Sequence, residues 1–101
     1  DWYRTQADLI FNQRLSALVE CFGLQMASSL KVRKMKAKWG SCSQSGVITL
    51  NLWLITQDIK AIDYVILREL CRLENFGHTP ACYACLVECM PDWRARKAML
   101  V

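Results

Sequence analysis

The chain's clearest helical pattern is centred on Tyr64-Val65-Ile66-Leu67-Arg68-Glu69-Leu70-Cys71-Arg72-Leu73. Across residues 58–76, Ile59, Ile62, Ile66, Leu70 and Leu73 recur at helical period, and Val65 and Phe76 widen the same face. That pattern predicts a helix in the middle of the domain, capped by Asp58 or by Thr56 just before it. Residues three and four apart on a helix are neighbours, so Arg68 and Arg72 fall on one side, with Glu69 between them in sequence. Asn75-Phe76-Gly77-His78 breaks the helix. Thr79-Pro80 then reads as N-cap and first helical position of a second helix through Met90, and Pro91-Asp92 opens a short last one toward Leu100.

Upstream, Tyr3, Ala7, Ile10, Phe11, Leu15, Leu18 and Phe22 form a stripe that ends at Gly23, which predicts an N-terminal helix with a marked stop. Lys31 to Trp39 is basic and broken, and Ser43-Gln44-Ser45-Gly46 is a turn cluster. After it, Ile48, Leu50, Leu52 and Leu54 alternate with Val47, Thr49, Asn51 and Trp53, so one apolar-faced strand is expected over 47–55, in a small antiparallel sheet. Trp39 and Trp53 are expected to pack on that sheet.

At 101 residues the chain is expected to form one domain, 1–101, with a single modest core. A hydrophobic fraction of 53% with 22% charged residues excludes a disordered or collagen-like chain. That fraction is high for a lone domain and leaves room for a partner domain or a buried interface. The opening Asp1-Trp2-Tyr3-Arg4 has no initiator Met and no signal-type apolar run, so the sequence reads as a cut piece, with room for a missing N-terminal domain. The longest apolar stretch, Val47 to Ile55, is interrupted by Thr49 and Asn51 and falls far short of a bilayer span, so no membrane association is expected. With six cysteines and no secretory signal, the thiols read as reduced and the chain as cytoplasmic.

The helix stretch also carries a chemical spacing. In a zincin, two histidines one helical turn apart point both imidazoles at one metal. The glutamate after the first polarises the metal-bound water, and a third ligand arrives from beyond the helix. Here the first and fifth positions are Arg68 and Arg72, Glu69 sits in the general-base position, and His78 follows six residues beyond Arg72. Around that core stand Trp2-Tyr3-Arg4 with Ala7, Trp39-Gly40-Ser41-Cys42-Ser43, Gly46, Asn51, Ile62-Asp63-Tyr64-Val65, Gly77-His78-Thr79-Pro80 and Met90-Pro91-Asp92-Trp93. In that order these matches resemble the C-terminal catalytic domain of the YgjP-like metal-dependent hydrolases, zincin metallopeptidases akin to the SprT and WLM types.

The resemblance implies an α+β, zincin-like fold: an N-terminal helix, a small twisted and mostly antiparallel sheet, a central active-site helix and C-terminal helices. It also implies a zinc site at positions 68, 72 and 78, with His78 as metal ligand and Glu69 as the catalytic base. The family pattern reads His-Glu-Leu-Cys-His, then Asn-His-Ser, then Phe-Trp. This chain has arginine at both helix histidine positions (Arg68 and Arg72), Gly77 for the asparagine and Cys82-Tyr83 for Phe-Trp. A guanidinium is permanently cationic and offers no lone pair, so zinc is expected to be absent from this chain or weakly held. Two functions follow. One is a metal-dependent hydrolase domain with a degenerate site, impaired in zinc binding and catalysis. The other is a metal-free pseudoenzyme that takes peptides or small anions in the former cleft.

Each feature also has a plainer reading. Arg68 and Arg72 could reach solvent or pair with Glu69, Glu74 or Glu88, or they could hold an anion in place of the metal's charge. Cys82, Cys85 and Cys89 have the spacing of a core-facing stripe, which is preferred over a replacement metal site. Lys31, Arg33, Lys34, Lys36 and Lys38 read as a solvated edge strand defended by charge. A net charge of +4 is too slight to argue for nucleic acid, which is not an expected partner. Arg68, Glu69, Arg72 and His78 are expected to converge on one cleft with the strand 47–55 along its rim.

Overall fold

Helix α1 (Trp2–Phe22) stops at Gly23, which adopts the left-handed conformation (φ 63°, ψ 38°) open to a residue without a Cβ. At its other end the Asp1 side chain accepts from the Arg4 N–H. The computed structural model describes residues 1–76 and 79–101. Of the predicted stripe, Ala7, Phe11, Leu15 and Leu18 are buried in the core and Ile10 and Phe22 pack partly against it, whereas Tyr3 is exposed. Full burial of a side chain the size of Phe11 is worth about 2–3 kcal/mol.

Three strands follow: β1 (Ser29–Arg33), β2 (Gly40–Cys42) and β3 (Val47–Asn51), in the order β1-β3-β2. The expectation of a mostly antiparallel sheet needs correction, because the sheet is mixed. β2 and β3 are antiparallel, joined by the tight turn in which Gly46 has φ 89°. β1 lies parallel to β3, from Ser29 opposite Val47 to Arg33 opposite Asn51. Residues 34–39 make this possible by carrying the chain across to the far edge of the sheet. Asn51, 6% exposed, holds them there. Its Nδ2 donates to the carbonyls of Met35 (3.0 Å) and Lys38 (2.9 Å), and its backbone N–H donates to the Trp39 carbonyl.

Asn51 also explains why the strand is shorter than the alternation suggests. Its Oδ1 accepts from the Trp53 N–H at 3.1 Å and caps a 3-10 turn over Leu52–Thr56, so the strand ends at Asn51 instead of Ile55. Leu52 and Leu54 are still buried, which is how the alternation continues through a change of structure. Trp39 packs against the core, whereas Trp53 is half-exposed and meets Tyr3 edge-on at 5.9 Å, away from the expected sheet packing. Lys34, Lys36 and Lys38 lie in the connecting loop; the basic strand ends at Arg33, on the edge of the sheet.

Helix α2 (Ile59–Glu74) begins at Asp58, whose side chain accepts from the Lys60 N–H at 2.8 Å. It runs through the centre of the fold, buried on all sides from Ala61 to Leu67. Ile59 and Phe76, the ends of the predicted face, are exposed. Arg14 of α1 grips Asp63 with two hydrogen bonds of 2.8 Å, and the carboxylate raises the Arg14 pKa further. Helix α3 (Pro80–Cys89) is capped by Thr79 as predicted, and α4 (Trp93–Ala98) follows Asp92. Leu86 and Met90 join the residues of α1, the sheet and α2 in one core cluster. The α+β architecture expected from the sequence is the one observed. Among the described residues, no helix is long and apolar enough to cross a membrane.

Candidate functional site

One turn of α2 separates Arg68 from Arg72, and the Glu69 carboxylate lies between their guanidinium groups. Arg68 Nε donates to Glu69 Oε2 at 3.1 Å and Arg72 Nη1 donates to Glu69 Oε1 at 3.2 Å. Adjacent residues on a helix do not normally face each other, so the first contact requires the Arg68 chain to fold back along the helix. It does so over the Tyr64 ring, with its guanidinium carbon 5.6 Å from the centroid. Glu69 is fully buried, while the two arginine side chains keep 26% and 27% of their surface. A buried carboxylate without partners would be costly, and here each oxygen has a cationic donor. No buried side-chain nitrogen or oxygen among the described residues lacks a hydrogen-bond partner.

The sheet closes over this triad at Gly40. A Cβ added there would lie 3.2 Å from Leu50 Cδ2, 3.2 Å from Val65 Cγ1 and 3.4 Å from Glu69 Cγ. Glycine therefore lets the start of β2 sit directly on the Val65 and Glu69 side chains of α2. This also corrects the expected rim: β3 is the central strand, and the edge strand β2 flanks the arginines instead.

Arg68 and Arg72 line two cavities. One, of about 310 Å³, lies between α2, α3 and α4, where Cys71, Thr79, Cys82, Tyr83, Leu86 and Trp93 complete the wall. The other, of about 380 Å³, lies toward Lys38, Trp39 and Gly40. Trp93 is the hub of the first cavity's aromatic wall. It stacks near-parallel on Tyr64 at 6.3 Å and meets Tyr83 edge-on at 5.7 Å.

Arg68, Glu69 and Arg72 thus converge as the sequence predicts, whereas His78 lies outside the described residues. Of the plainer readings of the arginines, pairing with Glu69 is the one realised. Glu74 instead accepts from the Gln25 backbone N–H. Sequence reasoning missed Tyr64, Tyr83 and Trp93 as site residues. Tyr64 could have been found, since it stands one turn before Arg68. No local signal connects Trp93 to them.

Cys82, Cys85 and Cys89 pack against the core, as their spacing predicts, and all six cysteines are free. The Cys71 and Cys85 sulfurs approach to 2.8 Å. Burial pushes the Cys42, Cys71 and Cys82 thiols up, and Cys89 up to about 11, so these sulfurs stay protonated at neutral pH. Among the described residues, no group of three or more His, Cys, Asp or Glu is arranged to hold a metal ion. The described donors do not fit zinc: the guanidiniums have no lone pair to give, and both Glu69 oxygens are engaged.

Comparison with known proteins agrees with this architecture. A family model described as "YgjP-like, metallopeptidase domain" matches residues 1–101. No curated protein matches the chain. Among solved structures, the metallopeptidase zymogen abylysin of Pyrococcus abyssi superposes with a TM-score of 0.76 at 17% identity, covering 87% of this chain and 89% of that one. The zymogen jannalysin of Methanocaldococcus jannaschii gives 0.65 at 18% identity, covering 77% and 79%. At such identities the likeness is one of fold.

Proposed function

The chain belongs to the YgjP-like metallopeptidase domain family, and on that premise we propose that it is a metallopeptidase-type domain whose zinc site has been converted to an arginine–glutamate–arginine triad. In this reading, Arg68 and Arg72 stand at the helix positions that hold zinc-binding histidines in a working site. Glu69, the catalytic base of such a site, serves instead as their shared counter-ion. The observation that carries the reading is the complete burial of Glu69 with each carboxylate oxygen on a guanidinium. A base in that position has no room for a water and nothing activated to deprotonate, because water without a metal keeps a pKa near ~15.7 instead of ~7.

His78 is the one remaining imidazole of the ancestral set, and a single imidazole is too few ligands for a zinc site. Zinc is therefore absent or weakly held in this proposal, and hydrolysis is impaired. A metal-free binding role for the cleft, toward peptides or small anions, is favoured by the two cavities that share Arg68 and Arg72. Free thiols suit the cytoplasmic setting we assign to it. The test is elemental analysis of protein purified from zinc-supplemented medium and dialysed without chelator. Substoichiometric zinc is expected, and about one tightly held zinc per chain would overturn the proposal.

A further inference from the structure

Resting on the metal-free reading above, we infer that Arg68 and Arg72 seat the carboxylate of a ligand whose bulky apolar body fills the cavity against Tyr83, Leu86 and Trp93. Charge is the first reason. Two guanidiniums share one carboxylate, and no other acidic side chain among the described residues pairs with either. Asp63 is committed to Arg14, Asp92 to Arg96 and Glu74 to the Gln25 backbone. One positive charge is thus left over at a partly desolvated site, where attraction for an anion is stronger than in open water.

Geometry is the second reason. Arg68 spends only Nε on Glu69 and Arg72 only Nη1, so their other N–H groups make no protein hydrogen bond among the described residues. Planar forks of this kind match a carboxylate. A surplus of one charge suits a monoanion; a phosphate dianion would exchange one imbalance for another. The third guanidinium nearby, Arg94, is exposed and occupied with the aromatic wall, 5.3 Å over Trp93 and donating to Tyr83 Oη at 3.4 Å. An exposed cation of that kind is screened by water and adds little.

The cavity itself sets the rest of the ligand. At about 310 Å³ it lies at the small end of ligand pockets, and its walls beyond the arginines are mainly apolar and aromatic. It suits one large apolar side chain or ring joined to a carboxylate. Both a free aromatic acid and the C-terminal residue of a peptide have that chemistry.

The experiment is calorimetric titration of chelator-treated protein whose zinc content is measured alongside. The probes are 3-phenylpropionate, its neutral amide, acetate, inorganic phosphate, and a pentapeptide ending in phenylalanine with a free or amidated C-terminus. We expect 3-phenylpropionate to bind about tenfold or more tightly than its amide and than acetate, with the carboxylate preference lost in Arg72→Gln. Because Arg72→Gln also strips Glu69 of a partner, Tyr83→Ala at a half-exposed position is the second variant. It should narrow the gap between 3-phenylpropionate and acetate while keeping the acid-over-amide preference. A tighter complex with the free-ended peptide identifies a peptide C-terminus as the ligand, and equal or weaker binding identifies a small acid; both sustain the inference. Equal binding of acid and amide, stronger binding of phosphate, no binding at millimolar probe, or a carboxylate preference that survives Arg72→Gln in folded protein would each overturn it. Stoichiometric zinc before chelation would instead bring down the underlying metal-free reading, which keeps the two failures apart.

Discussion

Two arginine–carboxylate clusters hold α2 in opposite styles. At Arg14–Asp63 one guanidinium meets one carboxylate through two 2.8 Å bonds across two helices separated widely in sequence. The charges balance, and the pair brackets α1 to α2. At Arg68–Glu69–Arg72 the three groups belong to consecutive turns of a single helix, so the contacts close no tertiary link. Two cations share one anion, the anion is fully buried, and the cations open onto two cavities. A balanced pair joining distant elements stabilises the fold. An unbalanced, local and cavity-facing cluster contributes less to architecture and retains unused binding capacity.

Removing the central carboxylate is expected to have the largest effect. Glu69→Gln leaves two guanidiniums around a neutral buried amide and should cost about 3–5 kcal/mol in urea unfolding, the usual penalty for breaking a buried ion cluster. Replacing Arg68, Glu69 and Arg72 together by Met, Leu and Met should recover most of that loss, because the cost lies in uncompensated charge. If the triple variant unfolds as easily as Glu69→Gln, the cluster is a fold element after all. Asp63→Asn should cost about 2 kcal/mol, since Arg14 is partly exposed and can turn to water. A penalty equal to that of Glu69→Gln would erase the distinction between the clusters.

Gly40→Ala is a smaller perturbation that sharpens it. The added methyl presses on Leu50, Val65 and Glu69 together. It should cost about 1–2 kcal/mol, read as a lower melting temperature, with chemical-shift changes extending to the Arg68 and Arg72 guanidiniums. Shifts confined to the sheet would show that Gly40 does not support the triad.

The smallest expected effect is at high pH. Cys89 is raised from 9.0 to about 11, mainly by burial, and Cys71 is also raised. A thiol that holds its proton longer in the folded state contributes stability that is complete below the unfolded value and is lost as pH rises through the folded one. Urea midpoints should therefore fall from about pH 9 upward, and Cys89→Ala should flatten the slope between pH 9 and about 11. An unchanged slope in that variant would place the alkaline sensitivity elsewhere.

What was legible in the sequence is what local chemistry sets. The stripe Ala7, Phe11, Leu15 and Leu18, the stop at Gly23 and the caps at Asp58 and Thr79 all depend on a few neighbouring residues. Helical spacing sets Arg72 beside both Arg68 and Glu69, whereas the Arg68–Glu69 contact also needs the Arg68 chain folded back over Tyr64. The parallel pairing of β1 with β3 did not, because it depends on where residues 34–39 cross, and that is decided by one buried side chain, Asn51. The same asparagine ended the strand within an unbroken alternation. Tyr83 and Trp93 reach the arginines only once α3 and α4 are folded against α2, so no spacing reveals the cavity wall.

We take guanidinium groups to stand where a metal's ligands once stood. The most direct test is zinc titration by calorimetry on four proteins: the parent, Arg68→His, Arg72→His and the double variant. Only the double variant, which together with His78 has three histidines, is expected to bind about one zinc per chain and to melt at a higher temperature when zinc is added. A parent protein that takes up stoichiometric zinc, or a double variant that binds no better than the parent, would contradict that assignment.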